Sequence, residues 1–205
     1  MTPTVLVVDD DDFLRDVLRR VFVDAGIPVE TFASAAQLLA TGNLAGPAVL
    51  LLDVMMPDMS GIALQALLRE RGINLPIIFL TGSSDVPMAV DAMRNGAADF
   101  LEKPWNNGEL IKRVRMAFAL CENPGSRREL PDQEVARRLA TLTPREREVA
   151  ALMVAGMTSK VIARELGGSF RTVEIHRSRV MSKMAATHLA DLVRMTFDVE
   201  RSDRG

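Results

Sequence analysis

The chain has 205 residues, with 25 basic and 27 acidic side chains and a net charge of −2. Hydrophobic residues make up 48% and charged residues 25%, which supports packed cores and excludes a collagen-like or low-complexity chain. Cys121 is the only cysteine, so no intramolecular disulfide is available, and with neither a leader-like start nor an apolar run of membrane length the expectation is a soluble, cytoplasmic protein.

Short apolar runs recur at Val5–Val8, Val29–Phe32, Val49–Leu52, Ile77–Leu80 and Ala98–Leu101, and each is followed by helix-period sequence. Phe13, Val17, Leu18, Val21 and Phe22 share one helical stripe, with Gly26 as its stop. Ile62, Leu64, Leu67 and Leu68 belong to a third helix. Val86 to Met93 makes a fourth, with Asp85 as N-cap and Gly96 beyond its end. Leu110, Ile111, Val114, Ala117, Phe118 and Cys121 stripe a fifth, which makes Cys121 a small buried hydrophobe. Five alternations of strand and helix predict an α/β domain: a parallel, flavodoxin-like sheet with helices on both faces. In the strand order 2-1-3-4-5, ligands gather at the carboxyl ends of strands one and three.

Residues 122–140 form a linker that opens on Glu122-Asn123-Pro124-Gly125-Ser126-Arg127-Arg128. It turns helical from Pro131 to Ala140, with Glu134 and Arg138 spaced for an i,i+4 pair. Strand signals then cease. Thr143-Pro144-Arg145-Glu146 is a capping box with Pro at the first helical position. Val149, Leu152 and Met153 form that helix's buried stripe and Gly156 ends it. Thr158 caps a second helix, Ser159–Leu166, and Gly167-Gly168 makes the turn. Ser169 caps a third helix, which carries Val173, Val180 and Met184 inward, and a fourth finishes near Met195. A short helix, a tight turn and a longer basic helix are the helix-turn-helix signature. The predicted division is therefore an α/β domain over 1–121, a linker over 122–140 and an all-α four-helix domain over 141–200. Residues 1–121 carry 10 basic and 15 acidic groups, whereas 122–205 carry 15 and 12. Only the second half is suited to a polyanion.

The chemistry collects at strand ends. Thr4–Val8 runs into Asp9-Asp10-Asp11-Asp12, and Ala48–Leu52 runs into Asp53. If the two strands are neighbours, three carboxylates crowd one site and repel, so the site calls for a cation. Hard oxygen donors without His or Cys suit Mg²⁺. This arrangement points to phosphoryl chemistry on an aspartate. Asp11 and Asp12 read as helix-start residues that favour the dipole.

These motifs together resemble a bacterial two-component response regulator: a CheY-like receiver followed by a LuxR/NarL-type DNA-binding domain, most similar to the FixJ type. The resemblance covers Pro3–Met195 and includes Gly82 to Pro87 and Asp99-Phe100-Leu101-Glu102-Lys103-Pro104. It implies that Asp53 accepts phosphate from a sensor histidine kinase. Asp9, Asp10 and Asp53, with the Met55 carbonyl, would hold Mg²⁺. Thr81 would donate its hydroxyl to the phosphoryl group and Lys103 would pair with it. Phe100 would be the aromatic that swings inward on activation, although a plain core role is the alternative. The Lys103–Pro104 bond would be cis.

The resemblance further implies a homodimer on phosphorylation, formed around Met88, Asp91, Ala92 and Phe100, and transcriptional control through promoter DNA and RNA polymerase. On the third effector helix Glu174, Ile175 and Ser178 would face the groove. Arg171, Arg177, Arg179 and Lys183 would neutralise phosphates, and Ser169, Thr172 and His176 would complete the DNA-contacting set. Glu174 suits cytosine N4 and Ile175 a thymine methyl. Several positions depart from the family pattern. Gly168 replaces a branched apolar residue, which is expected to remove a plug between helices. Phe170 stands where Pro is common, Ser83-Ser84 replaces His-Gly, and Trp105 replaces Phe. Two rivals are weighed against this: a HAD-type hydrolase, suggested by Asp9-x-Asp11, and an adaptor whose effector binds protein.

Overall fold

A computed structural model describes residues 3–41, 44, 46–82, 86–122 and 132–202. Five strands, β1 (Thr4–Val8), β2 (Val29–Phe32), β3 (Ala48–Asp53), β4 (Ile77–Thr81) and β5 (Asp99–Glu102), form one parallel sheet in the order β2-β1-β3-β4-β5. This is the order the sequence predicts. All residues of β3 and β4 are buried, so their uninterrupted apolar runs reflect sheet faces covered on both sides. Parallel strands need crossovers, and these are α1 (Asp12–Asp24), α2 (Ala35–Ala40), α3 (Gly61–Glu70) and α4 (Val86–Arg94), followed by α5 (Asn107–Glu122) after the last strand. One face packs Val5, Val7, Val49, Leu51, Ile78 and Leu80 against Leu18, Phe22, Leu110 and Val114.

The helix boundaries follow local chemistry. The Asp11 carboxylate accepts from the Phe13 and Leu14 amides at the start of α1, as expected of a capping aspartate. Gly26 lies at φ +67° just past its end, where a side chain would be strained. The expected cap Asp85, the Ser83-Ser84 pair and residues 123–131 of the linker lie outside the described residues.

The all-α part comprises α6 (Asp132–Ala140), α7 (Pro144–Val154), α8 (Ser159–Glu165), α9 (Phe170–Met184) and α10 (Leu189–Ser202). The Thr143–Glu146 capping box is complete, with each side chain meeting the other residue's backbone N–H. Arg138 pairs with Glu134 at 2.8 Å. Thr158 holds the N-cap position of α8 but makes no side-chain cap bond, contrary to expectation. The turn after α8 is a Schellman motif: the Gly168 amide donates to Ala163 O at 2.9 Å and the Gly167 amide to Arg164 O at 3.3 Å. Gly167, at φ +61°, is the residue the turn requires. A Cβ on Gly168 would meet only the Arg145 guanidinium, at 3.8 Å. Gly168 is exposed, and a Cβ there would touch no apolar residue of a neighbouring helix among the described residues. Val149, Met153, Ile162, Val173, Val180, Met184 and Leu192 build the core of this part.

Backbone contacts divide the chain into two compact units, Met1–Asp85 with Asn95–Arg127, and Val86–Arg94 with Arg128–Gly205. Helix α4, assigned from sequence to the first domain, groups with the second unit.

Gly61 is the tightest point at the end of β3. A Cβ there would lie 2.2 Å from the Asp53 carbonyl oxygen and 2.9 Å from Leu52 Cγ. Helix α3 therefore begins at a distance only hydrogen allows. Gly61→Ala is expected to destabilise the chain by about 1–3 kcal/mol, the usual cost of overpacking, read as a lowered urea midpoint. An unchanged midpoint would mean that the start of α3 yields freely.

Candidate functional site

The carboxyl ends of β1, β3 and β5 converge. Asp53 is the last residue of β3 and only 7% exposed, and Asp9, directly after β1, is 1% exposed. Lys103, beyond β5, bridges them: its Nζ donates to Asp53 Oδ1 at 2.7 Å and to Asp9 Oδ2 at 3.3 Å. The remaining carboxylate oxygens meet backbone, Asp53 Oδ2 accepting from Met55 N at 3.1 Å and Asp9 Oδ1 from Asp11 N at 2.9 Å. Arg15, not singled out in the sequence, fixes the Asp9 backbone by donating to its carbonyl at 2.5 Å. The Lys103–Pro104 bond is cis, and the Lys103 amide donates to Thr81 O at 2.7 Å.

Burial drives the Asp53 carboxyl above the usual aspartate pKa, and the Asp9 charge adds to the rise. The Lys103 ammonium opposes both without cancelling them. Burial works against the Lys103 ammonium too, but its bond to Asp53 and the charges of Asp9 and Asp53 outweigh that and hold its pKa above the usual lysine value. Two buried carboxylates beside one ammonium leave excess negative charge among oxygen donors, which fits a hard divalent cation. Asp10 is exposed, and among the described residues no three acidic, His or Cys side chains converge into a metal cluster. Of the expected metal set, the structure thus unites Asp9 and Asp53 and leaves Asp10 outside.

Thr81 ends β4, fully buried, and its hydroxyl donates to Gly82 O at 3.0 Å. Phe100 is buried at 5% exposure. Its carbonyl accepts from Arg113 at 2.7 Å, and the same guanidinium meets Asp99 and Glu109, so α5 grips the edge strand. Arg113 was missed because its position on the apolar side of α5 carries no motif. Ala92 is fully buried as well, so of the four expected dimer residues only Met88 and Asp91 retain exposure.

On α9, Arg171, Thr172, Glu174, Ile175, Ser178 and Arg179 form an exposed face. The Ser169 hydroxyl caps the helix at the Thr172 amide and shares a bond with the Thr172 hydroxyl. His176 and Arg177 are half-buried, and His176 Nδ1 is buried with no hydrogen-bond partner among the described residues. Lys183 is committed elsewhere: its Nζ donates to Glu146 Oε2 at 2.6 Å and to Thr141 O at 3.0 Å. These bonds tie the last turn of α9 to the start of α7. Glu146 is buried, and the bonds from Lys183 and the Thr143 amide lower its pKa to about 2.

Two family descriptions match the chain: "Response regulator receiver domain" over residues 5–115 and "Bacterial regulatory proteins, luxR family" over residues 140–196. The C4-dicarboxylate transport transcriptional regulatory protein DctR of Rhodobacter capsulatus is 46% identical, over 96% of this chain and all of its own. The transcriptional regulatory protein FixJ of Azorhizobium caulinodans is 43% identical, over 94% of this chain and 91% of its own. Full-length FixJ from B. japonicum, a solved structure, has a TM-score of 0.54 at 39% identity and covers 97% of each chain. The chain belongs to the FixJ-type response regulators. It is a phosphorylation-regulated transcription factor with a receiver and a LuxR-type DNA-binding domain, not a hydrolase or other enzyme. Receivers of this family generally bind Mg²⁺ at the phosphorylation site.

Two titrations test the response regulator's charge pairs. In Lys103→Met the Asp53 carboxyl is expected to titrate at higher pH than in wild type, because the cation that favours its charged form is gone. Carbon-13 NMR of the aspartate carboxyls reads this, and an unmoved Asp53 would show that the ammonium does not reach it. Glu146 works in the opposite direction. Its folded pKa, about 2, lies below the ordinary 4.5, so its stabilisation is complete above about pH 4.5 and disappears as pH falls toward 2. Glu146→Gln should lose stability at pH 7 and show a flatter acid dependence between those limits in urea titrations at stepped pH.

Proposed function

We propose that Asp53 takes a phosphoryl group from the phosphohistidine of a sensor kinase and so promotes dimerisation and sequence-specific promoter binding. The observation that carries this is the Lys103 ammonium, held between the buried Asp9 and Asp53 carboxylates at the ends of adjacent strands. An Asp53 oxygen attacks phosphorus, the P–N bond breaks, and the imidazole leaves with the bonding pair. Asp9, Asp53 and the Met55 carbonyl would hold Mg²⁺, with Asp10, exposed beside Asp9, turning inward to join them, and the metal would neutralise charge on the phosphoryl oxygens. Lys103 pairs with the transferred group and Thr81 turns its hydroxyl from Gly82 O to a phosphoryl oxygen.

Gripping the phosphoryl group with Thr81 and Lys103 biases an existing equilibrium, for which a few kcal/mol of differential stabilisation suffices. The active form dimerises around the positions expected from the sequence, Met88, Asp91, Ala92 and Phe100, with Phe100 as the buried switch. It acts in the cytoplasm and engages RNA polymerase at promoters. Arg171, Arg177 and Arg179 contact phosphates, while Glu174, Ile175 and Ser178 face the major groove. Two recognition helices enter successive major grooves about one turn apart.

Acetyl phosphate with Mg²⁺ is expected to add one phosphoryl group to wild type and none to Asp53→Asn, counted by intact-protein mass. Beryllofluoride should raise the mass seen by light scattering toward twice the monomer. Labelling of the Asn variant equal to wild type would falsify the acceptor assignment. A monomer at every concentration, with beryllofluoride occupancy confirmed by fluorine NMR, would remove the dimer.

A further inference from the structure

Glu174 is the one acid on the exposed face of α9, and it is not loose. The Ser159 hydroxyl donates to Glu174 Oε1, and Arg177 Nε stands 3.7 Å from the same oxygen. Ser159 is the first residue of α8, so this bond reaches across the helix-turn-helix from its first helix to its second. Both partners use Oε1, which leaves Oε2 open on a side chain that is 49% exposed.

We propose that Ser159 is a positioning residue for base recognition: by holding Oε1 it presets Glu174 so that Oε2 accepts from a cytosine amino group. This rests on the DNA-binding reading given above. The chemistry selects the base. A carboxylate only accepts, and in the major groove cytosine offers a lone donor, N4. Guanine N7 and O6 and thymine O4 are acceptors and repel it, and adenine sets N7 beside its amino group. A free glutamate on a helix surface samples many rotamers, and each must be frozen when a base is read. A hydroxyl that fixes the carboxylate beforehand removes that cost from the complex. Arg177 also offsets the negative charge that Glu174 carries among phosphates. Ser159 carries no charge, so it acts on discrimination and not on the sequence-independent part of binding.

The test uses the full chain activated with beryllofluoride, bound to a randomised duplex pool and then to single-base variants of the selected site at several salt concentrations. Glu174→Ala identifies the base pair that Glu174 reads. Ser159→Ala is expected to reduce discrimination at that same pair several-fold, within the roughly 5- to 150-fold that one base contact commands. Its salt slope and thermal midpoint should stay at the wild-type values, which a merely structural role would not allow. Ser159→Thr, which keeps the hydroxyl, should restore discrimination. In the Glu174→Ala background, Ser159→Ala should do nothing further. Unchanged discrimination in Ser159→Ala overturns the proposal, as does an equal loss in the Glu174→Ala background. Wild-type protein that binds no duplex at any salt removes the DNA-binding reading itself, a result distinct from both.

Discussion

Two carboxylates buried side by side are unstable alone, and the receiver is arranged around the one cation that reconciles them. Asp9 and Asp53 reach the same place because β1 and β3 are neighbours in register, with Val8 opposite Leu52. Lys103, beyond β5 at the edge of the sheet, reaches both. The sheet order therefore has a chemical consequence, since any other neighbour for β1 would separate the charges. Gly61 completes the arrangement by letting α3 close on the Asp53 carbonyl. Arg113 works from the far edge, fastening β5, and with it the segment bearing Lys103, to α5.

The DNA-binding part relies on a similar device used for a different end. Glu146 caps α7 and at the same time receives Lys183 from the last turn of α9. One buried carboxylate thus sets the angle between the first and third helices of the domain. Lys183 is engaged in that tie. The exposed arginines 171 and 179 remain, with Arg177 half-buried beside Glu174. A basic helix is therefore not a uniform phosphate-binding surface. One of its cations holds the helix to α7, while Arg171 and Arg179 stay exposed.

What the sequence displayed was mostly one-dimensional. Apolar runs gave the five strands to within a residue or two, because a strand covered on both faces needs uninterrupted hydrophobes. Carboxylates at the ends of two apolar runs marked Asp9 and Asp53, while Thr81 and Lys103 were legible only through the family resemblance. The capping box at Thr143 was legible because its spacing is fixed by one helical turn. Contacts between distant elements were not. Nothing in the spacing tells that Lys183 meets Glu146 rather than solvent, that Ser159 meets Glu174, or that Ala92 is covered. In the Gly167-Gly168 turn the left-handed position belongs to Gly167. Asp10 illustrates the converse: adjacent acids alternate in direction at a strand end, so only Asp9 is drawn inward.

The three acids that matter most differ in how burial competes with hydrogen bonding. Glu146 is buried, but a lysine and a backbone amide bond its carboxylate, and the charge is locked in place with a pKa near 2. Such a group holds structure and is a poor nucleophile, because its electrons are fully engaged. At Asp53 burial outweighs the bonds, and the pKa rises above the ordinary aspartate value. Glu174 is half exposed and held by one oxygen only, so the other remains available to an outside donor. One side-chain chemistry thus takes three different states, and the difference lies in how many of its lone pairs the fold has already used.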